Sequence, residues 1–127
     1  MSPVNPLDLA ENFMEAMNRG DLNAVLSYYE QDAILIAQPG NISKGRDEIR
    51  TALEEFIALK PKLKSDSNKI INVGNLALFC SKWTLIGTSP DGKHIEIHGT
   101  SSDVFRQQPD GRWLVAIDNP WGTTIID

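Results

Sequence analysis

The sequence predicts an α+β domain: a cone-shaped, curved antiparallel or mixed sheet with three N-terminal helices packed on its concave face. Three observations carry this expectation. Up to Pro61 the apolar residues recur with a period of roughly 3.6 residues. After Pro61 the period falls to about 2. Two Pro-Asp-Gly turns, at 90–92 and 109–111, then predict consecutive antiparallel hairpins. Helices followed by strands give the segregated layout of an α+β fold.

Each element has its own signal. Asn5 caps the first helix, and Pro6 stands at the first helical position, where its missing N–H costs nothing. Ala10, Phe13, Met14 and Met17 form its apolar stripe, and Gly20 stops it. Asp21 caps a short second helix with the stripe Leu22, Val25, Leu26 and Tyr29. Ala33–Ala37 is short, branched and bounded by Pro39-Gly40, which predicts a strand. Gly45 begins the third helix, with Asp47 and Glu48 in its first turn and the stripe Ile49, Ala52, Leu53, Phe56 and Ile57. Pro61 ends it. Strands are then expected over Lys69–Val73, Leu76–Gly87, Lys93–Gln107 and Arg112–Asp118, with Gly74-Asn75 as a further turn. Strands of this length curl strongly, and a curled sheet backed by helices leaves an interior.

Composition bounds the function. The 127 residues make one domain, 1–127, long enough to bury a core. Twelve basic against seventeen acidic residues give a net charge of −5, which excludes duplex nucleic acid and anionic lipid as partners. The single cysteine, Cys80, leaves no intrachain disulfide and no thiolate metal cage. His94 and His98 stand about 13 Å apart if extended, too far to share an ion. No metal and no cofactor are therefore expected. No apolar run reaches the length of a membrane span, and Met1–Pro6 has neither the basic region nor the apolar core of a secretory signal. The expected location is the cytoplasm.

Strand parity maps the interior. Lys82 belongs in solvent, so Ala77, Phe79, Ser81, Trp83 and Leu85 should face the helices. On the following strand the odd set is Ile95, Ile97, Gly99, Ser101, Asp103 and Phe105, unless a bulge near Gly99 reverses it. Asp103 is then an acid on an apolar face. Burial raises the pKa of such an acid, which suits proton transfer to a ligand oxygen or from a carbon acid. The competing reading is a hydrogen-bond acceptor that only orders the core. Trp83, Trp113 and Trp121 are pocket walls or ordinary packing. Of the adjacent Tyr28 and Tyr29, only Tyr29 points inward.

The order and spacing of several segments resemble the nuclear transport factor 2-like superfamily, in the branch of ketosteroid isomerases and SnoaL-like polyketide cyclases. These segments are residues 13–21, 29–33, 45–49, Asp103-Val104-Phe105-Arg106, Asp110-Gly111-Arg112-Trp113 and Asp118-Asn119-Pro120-Trp121-Gly122. The resemblance implies a deep apolar pocket and a homodimer. It also implies three polar positions of the isomerases. The helix tyrosine falls at Phe13, the base at Ala37 or Gln38, and the late-strand acid at Asp103. One of the three survives, so steroid isomerisation is not expected.

The sequence thus points to a protein that binds or transforms a small apolar carbonyl compound by isomerase, cyclase or lyase chemistry. Asp103 is the expected acid/base. Gln38 orients the ligand, and Phe13, Phe79, Trp83, Ser101 and Trp121 shape its site. The alternative is a non-catalytic association domain. In either case Leu78, Cys80 and Ile86 on the outer sheet face predict a homodimer through that face.

Overall fold

A computed structural model describes residues 3–127. Met1 and Ser2, part of the N-terminal stretch considered above, lie outside the described residues. The chain runs α1 (Pro6–Arg19), α2 (Leu22–Ser27), β1 (Tyr29–Gln38), β2 (Asn41–Lys44), α3 (Gly45–Ala58), β3 (Lys62–Val73), β4 (Leu76–Thr88), β5 (His94–Gln107) and β6 (Trp113–Asp118). A 3-10 turn, Gly122–Ile126, closes it. Three helices pack on a six-stranded mixed sheet of order β2-β1-β6-β5-β4-β3. Among the described residues only β1 and β6 pair in parallel.

The helix ends follow their signals. Asn5 Oδ1 accepts from Asp8 N at 2.8 Å, and Gly20 terminates α1 in the left-handed region with φ 71°. Asp21 caps α2 through Ala24 N. Tyr29, assigned above to the α2 stripe, is instead the first residue of β1 and fully buried. Its inward direction survives because the inner face of β1 continues the apolar face that α2 begins. The hairpin strand β2 has no periodic signal of its own. It is four residues long, polar at three of them, and pairs with β1 beyond the Pro39-Gly40 turn.

β3 starts seven residues before its expected limit. Its first half, Lys62–Asn68, is an edge segment with mostly polar side chains, and it contains a bulge at Asp66. Before the bulge Leu63 and Ser65 pair with the inward Leu85 and Trp83; after it Asn68 and Ile70 pair with Ser81 and Phe79. One extra residue thus switches the inner set from odd to even and hides the period.

The parity map of β4 and β5 holds along both strands. Ala77, Phe79, Ser81, Leu85, Ser101, Asp103 and Phe105 are buried, whereas Leu78 and Ile86 are exposed. The β4–β5 register is unbroken from Thr88↔His94 to Leu76↔Arg106, so there is no bulge at Gly99. Gly99 has a packing duty instead. It pairs with Trp83, whose indole lies across it, and a Cβ there would stand 2.4 Å from Trp83 Cζ2. The indole has little room to retreat. Its Nε1 donates to Pro120 O at 2.8 Å, and Trp121 meets it edge-on at 5.5 Å. Gly99→Ala should therefore destabilise the protein by about 1–3 kcal/mol through overpacking. Urea denaturation measures this; an unchanged midpoint would show that Trp83 is free to move aside.

Candidate functional site

Between the sheet and the helices lies a cavity of about 130 Å³. Its helical wall is Leu9, Ala10, Phe13, Met14 and Met17 from α1 with Leu53 and Phe56 from α3. The sheet supplies Leu35, Phe79, Leu85, Phe105 and Val115, and the segment after β6 supplies Pro120 and Trp121. Nearly all of this lining is hydrocarbon. The polar exceptions are Ser81, Ser101, Asp103 and Asp118.

Asp118 is the group that parity reasoning misses. If β6 paired regularly with β5, Asp118 would point away from the face that carries Val115. The register jumps, however, from Phe105↔Val115 to Val104↔Ile117, leaving Ala116 as an extra residue. This bulge turns Ile117 outward and Asp118 inward, opposite Asp103. On its other side Asp118 registers with Leu35 of β1, itself a cavity residue. The bulge is silent in the residue pattern, because Leu114, Val115 and Ala116 are all apolar and all buried.

The two carboxyls face one another, each close enough to shift the other's ionisation. Asp103 Oδ1 also accepts from Asn119 N at 2.7 Å, and Asp118 Oδ2 accepts from the Tyr29 hydroxyl at 2.5 Å. Burial pushes the Asp103 carboxyl well above the usual carboxylate range, and the Asp118 charge beside it adds to the rise; the Asn119 N–H works the other way. Burial also raises Asp118, but donation from Tyr29 and from Asp103 favours its ionised form. These directions favour a single proton shared by the pair, with Asp103 the member held more strongly in its acid form. Burial and the Asp118 charge push the Tyr29 hydroxyl far up, so Tyr29 remains a donor. Asp118 lies deep in the fold yet retains some accessible surface, as a group on a cavity wall does.

Supporting contacts fix this arrangement. Ser102 N donates to Asn119 O at 2.9 Å, and the Asn119 side chain donates to Gly122 O. Trp121 Nε1 donates to Ala37 O at 2.9 Å, so the chain after β6 is tied to β1 as well as β4. Phe13 meets the Tyr29 ring edge-on at 5.7 Å, and Phe79 stacks on Phe105 at 5.4 Å. Arg46 of α3 donates from Nε to Tyr29 O at 3.0 Å, beside the break in the β1–β6 register.

The cavity brings together Phe13, Phe79, Trp83, Ser101, Asp103 and Trp121. Gln38 is the exception and is corrected here. It is exposed at the end of β1, over a second depression that it shares with Asn41, Ser43, Glu48 and Glu55. Ala37 carries the inward direction at that turn, and the next side chain must point out. Trp113 is buried core rather than cavity wall. Cys80 lies on the outer face. His98 Nε2 stands 2.8 Å from Glu96 Oε2 on the exposed face of β5. Among the described residues, no three His, Cys, Asp or Glu side chains converge as metal ligands. No helix there is long and apolar enough to cross a membrane.

Comparison with known proteins agrees with this architecture. A protein from Xanthomonas campestris, provisionally described as a calcium/calmodulin-dependent protein kinase II association domain, superposes with a TM-score of 0.80 at 21% identity. That match covers 89% of this chain and 81% of the other. A nuclear transport factor 2-like superfamily protein from Salmonella enterica gives 0.79 at 18% identity, over 88% and 84%. A protein from Shewanella frigidimarina, provisionally described as a ketosteroid isomerase, gives 0.76 at 18% identity, over 87% and 90%. At these identities the likeness is one of fold. No curated protein matches the chain. The sequence model of the SnoaL-like domain matches residues 10–116, and the chain belongs to the SnoaL-like domain family.

Proposed function

We propose that the protein binds a small, largely apolar carbonyl compound in its cavity and catalyses proton transfer on it, as an isomerase, cyclase or lyase without a cofactor. The observation that carries this reading is the Asp103–Asp118 pair, two facing carboxyls set into the wall of an apolar cavity. Desolvation of an acid and its anion costs free energy, and such pairs concentrate at sites that use them. Asp103 donates its proton to the carbonyl oxygen. In the same step Asp118 removes a proton from the adjacent carbon, so the pair never carries two charges. The product is the neutral enol, and the pair again holds one proton. Tyr29 stays hydrogen-bonded to Asp118 throughout and keeps its orientation. Asp103, Phe13, Phe79, Trp83, Ser101 and Trp121 contact the ligand in this reading. A core filled by its own side chains would have favoured the association-domain alternative, and the cavity weighs against that as the sole role.

A second copy of the chain is the proposed protein partner. Ile71, Leu78, Val104 and Ile117 register side by side across β3, β4, β5 and β6 on the outer face. Three of them are at least 38% exposed, which makes this row costly to leave in water. A cytoplasmic location completes the proposal, supported by the single unpaired cysteine.

Three measurements test these statements. Deuterium exchange at the carbon beside the carbonyl of 1-indanone, followed by NMR in D2O, should be accelerated by the protein. Asp103→Asn and Asp118→Asn should each lose roughly 100- to 10,000-fold of that acceleration; equal exchange in all three proteins would reduce the reading to binding alone. Carbon-detected titration and melts probe the pair itself. A folded value raised above the unfolded one means that the native state keeps a proton which the unfolded chain releases. This contribution to stability is full below about pH 4 and fades as pH rises through the raised value. Asp103→Asn keeps an acceptor for Asn119 N–H and offers an N–H to Asp118. It should flatten the decline and be no less stable than wild type at neutral pH. Asp118→Asn removes the neighbouring charge and should lower the titration of Asp103. A marked loss of stability in Asp103→Asn, with a normal titration in wild type, would make Asp103 a structural acceptor. Light scattering at micromolar concentration should give twice the 14.1 kDa chain mass, and Leu78→Glu should give the monomer; a monomeric wild type would remove the proposed partner.

A further inference from the structure

One polar atom in the cavity lacks a well-formed hydrogen bond within the protein, although it lies close enough to the Asp103 carboxyl to favour its ionised form slightly. Ser101 is 5% exposed and lines the cavity, and its Oγ is the one buried side-chain polar atom without a hydrogen-bond partner among the described residues. Its cross-strand neighbour Ser81 is buried too, but Ser81 Oγ lies 2.7 Å from Ser65 Oγ. Native structures rarely leave a buried hydroxyl unpaired, because the lost water contacts are not replaced. The cost is avoidable here, since Ala or Val would suit this apolar wall.

Position tells what the hydroxyl would meet. Ser101 and Asp103 are two apart on β5 and project from the same face, so their side chains border one spot in the cavity. Asp103 Oδ1 is occupied by Asn119 N–H, and its proton is contested by Asp118, so a ligand oxygen at this spot competes with Asp118 for that proton while accepting from the Ser101 O–H. A carbonyl oxygen has two lone pairs and takes both. Of the remaining lining, Ser81 is taken up by Ser65 and Asp118 accepts from Tyr29, while Phe79, Phe105 and Val115 offer hydrocarbon contact. An ionised carboxylate in that spot would face the Asp118 anion with little water to screen it.

We infer that Ser101 anchors the oxygen of a neutral ketone or aldehyde beside Asp103, and that it is the residue by which the cavity prefers such compounds to hydrocarbons of the same shape and to carboxylates. The inference rests on the carbonyl-pocket reading above. The competing occupant of the spot is a resident water molecule.

The test compares 1-indanone, indane and indane-2-carboxylate, titrated into the protein by NMR. Wild type should bind the ketone at least about fivefold more tightly than indane and should not bind the carboxylate measurably. Ser101→Ala should lose roughly 5- to 15-fold for the ketone and nothing for indane. Ser101→Thr, which restores the hydroxyl, should recover most of that loss. Without ligand, Ser101→Ala should melt no lower than wild type, because only an unpartnered group is removed. Equal losses for ketone and indane, or a marked drop in melting temperature, would make Ser101 a structural residue and overturn the inference. An unchanged ketone affinity would assign the spot to water and overturn it as well. Failure of the two neutral compounds to bind wild type would overturn the pocket reading and this inference together. Selective ketone binding without proton exchange would leave the anchor standing and remove only the catalysis.

Discussion

Two carboxyl groups facing each other inside a wall of hydrocarbon carry two charges only at high cost. That constraint organises the interior of this protein. It assigns one proton to the Asp103–Asp118 pair and requires donors around the member that stays ionised. Tyr29 supplies one from the far side, and Asn119 fixes the orientation of Asp103 from the chain that follows β6. Each of these donors comes from a different part of the sequence, so the pair forms only when the sheet has closed across β1, β6 and β5. A buried network satisfied from several elements is costly to disturb, and here it also selects the geometry of its cavity.

The helices contribute shape rather than chemistry. α1 and α3 present aliphatic and aromatic side chains to the cavity and no titratable group. The segment after β6 closes the remaining side through two indole N–H donors, Trp83 to Pro120 and Trp121 to Ala37. These tie two strands, β4 and β1, to one short stretch of irregular chain. Both donors sit where an aromatic body is buried and a polar edge needs a partner, which is the usual solution for tryptophan at a cavity rim.

Most of the fold was legible in the sequence because it follows from local rules. Caps at Asn5 and Asp21, the stop at Gly20 and the Pro-Asp-Gly turns are short-range chemistry. The inward direction of Asp103 and Ser101 followed from strict alternation along β4 and β5, whose register has no break. The failures share a different cause. Asp118 and the early half of β3 each involve one extra residue in a strand, and the β1–β6 pairing breaks over several residues between Tyr29 and Ile34; register is a property of two strands together. Gln38 failed for a related reason. Family correspondence left two adjacent positions open, and in a strand only one of two neighbours faces inward. Tyr29 was placed correctly in space and wrongly in its element, since an apolar stripe continues from helix to strand without a visible boundary.

The bulge at Ala116 also bears on how such proteins diverge. Half of the pair depends on where β6 places its extra residue, because the same residues paired without a bulge would turn Asp118 outward. Loss of Ala116 itself would leave Ile117 opposite Val104 and Asp118 opposite Asp103, so the pair survives that deletion. A further residue gained between Val115 and Asp118 would have to be absorbed by the bulge in the same way, or it would reverse Asp118. The site is thus sensitive to register rather than to strand length. Comparison of side chains at aligned columns alone does not reveal whether two relatives share it.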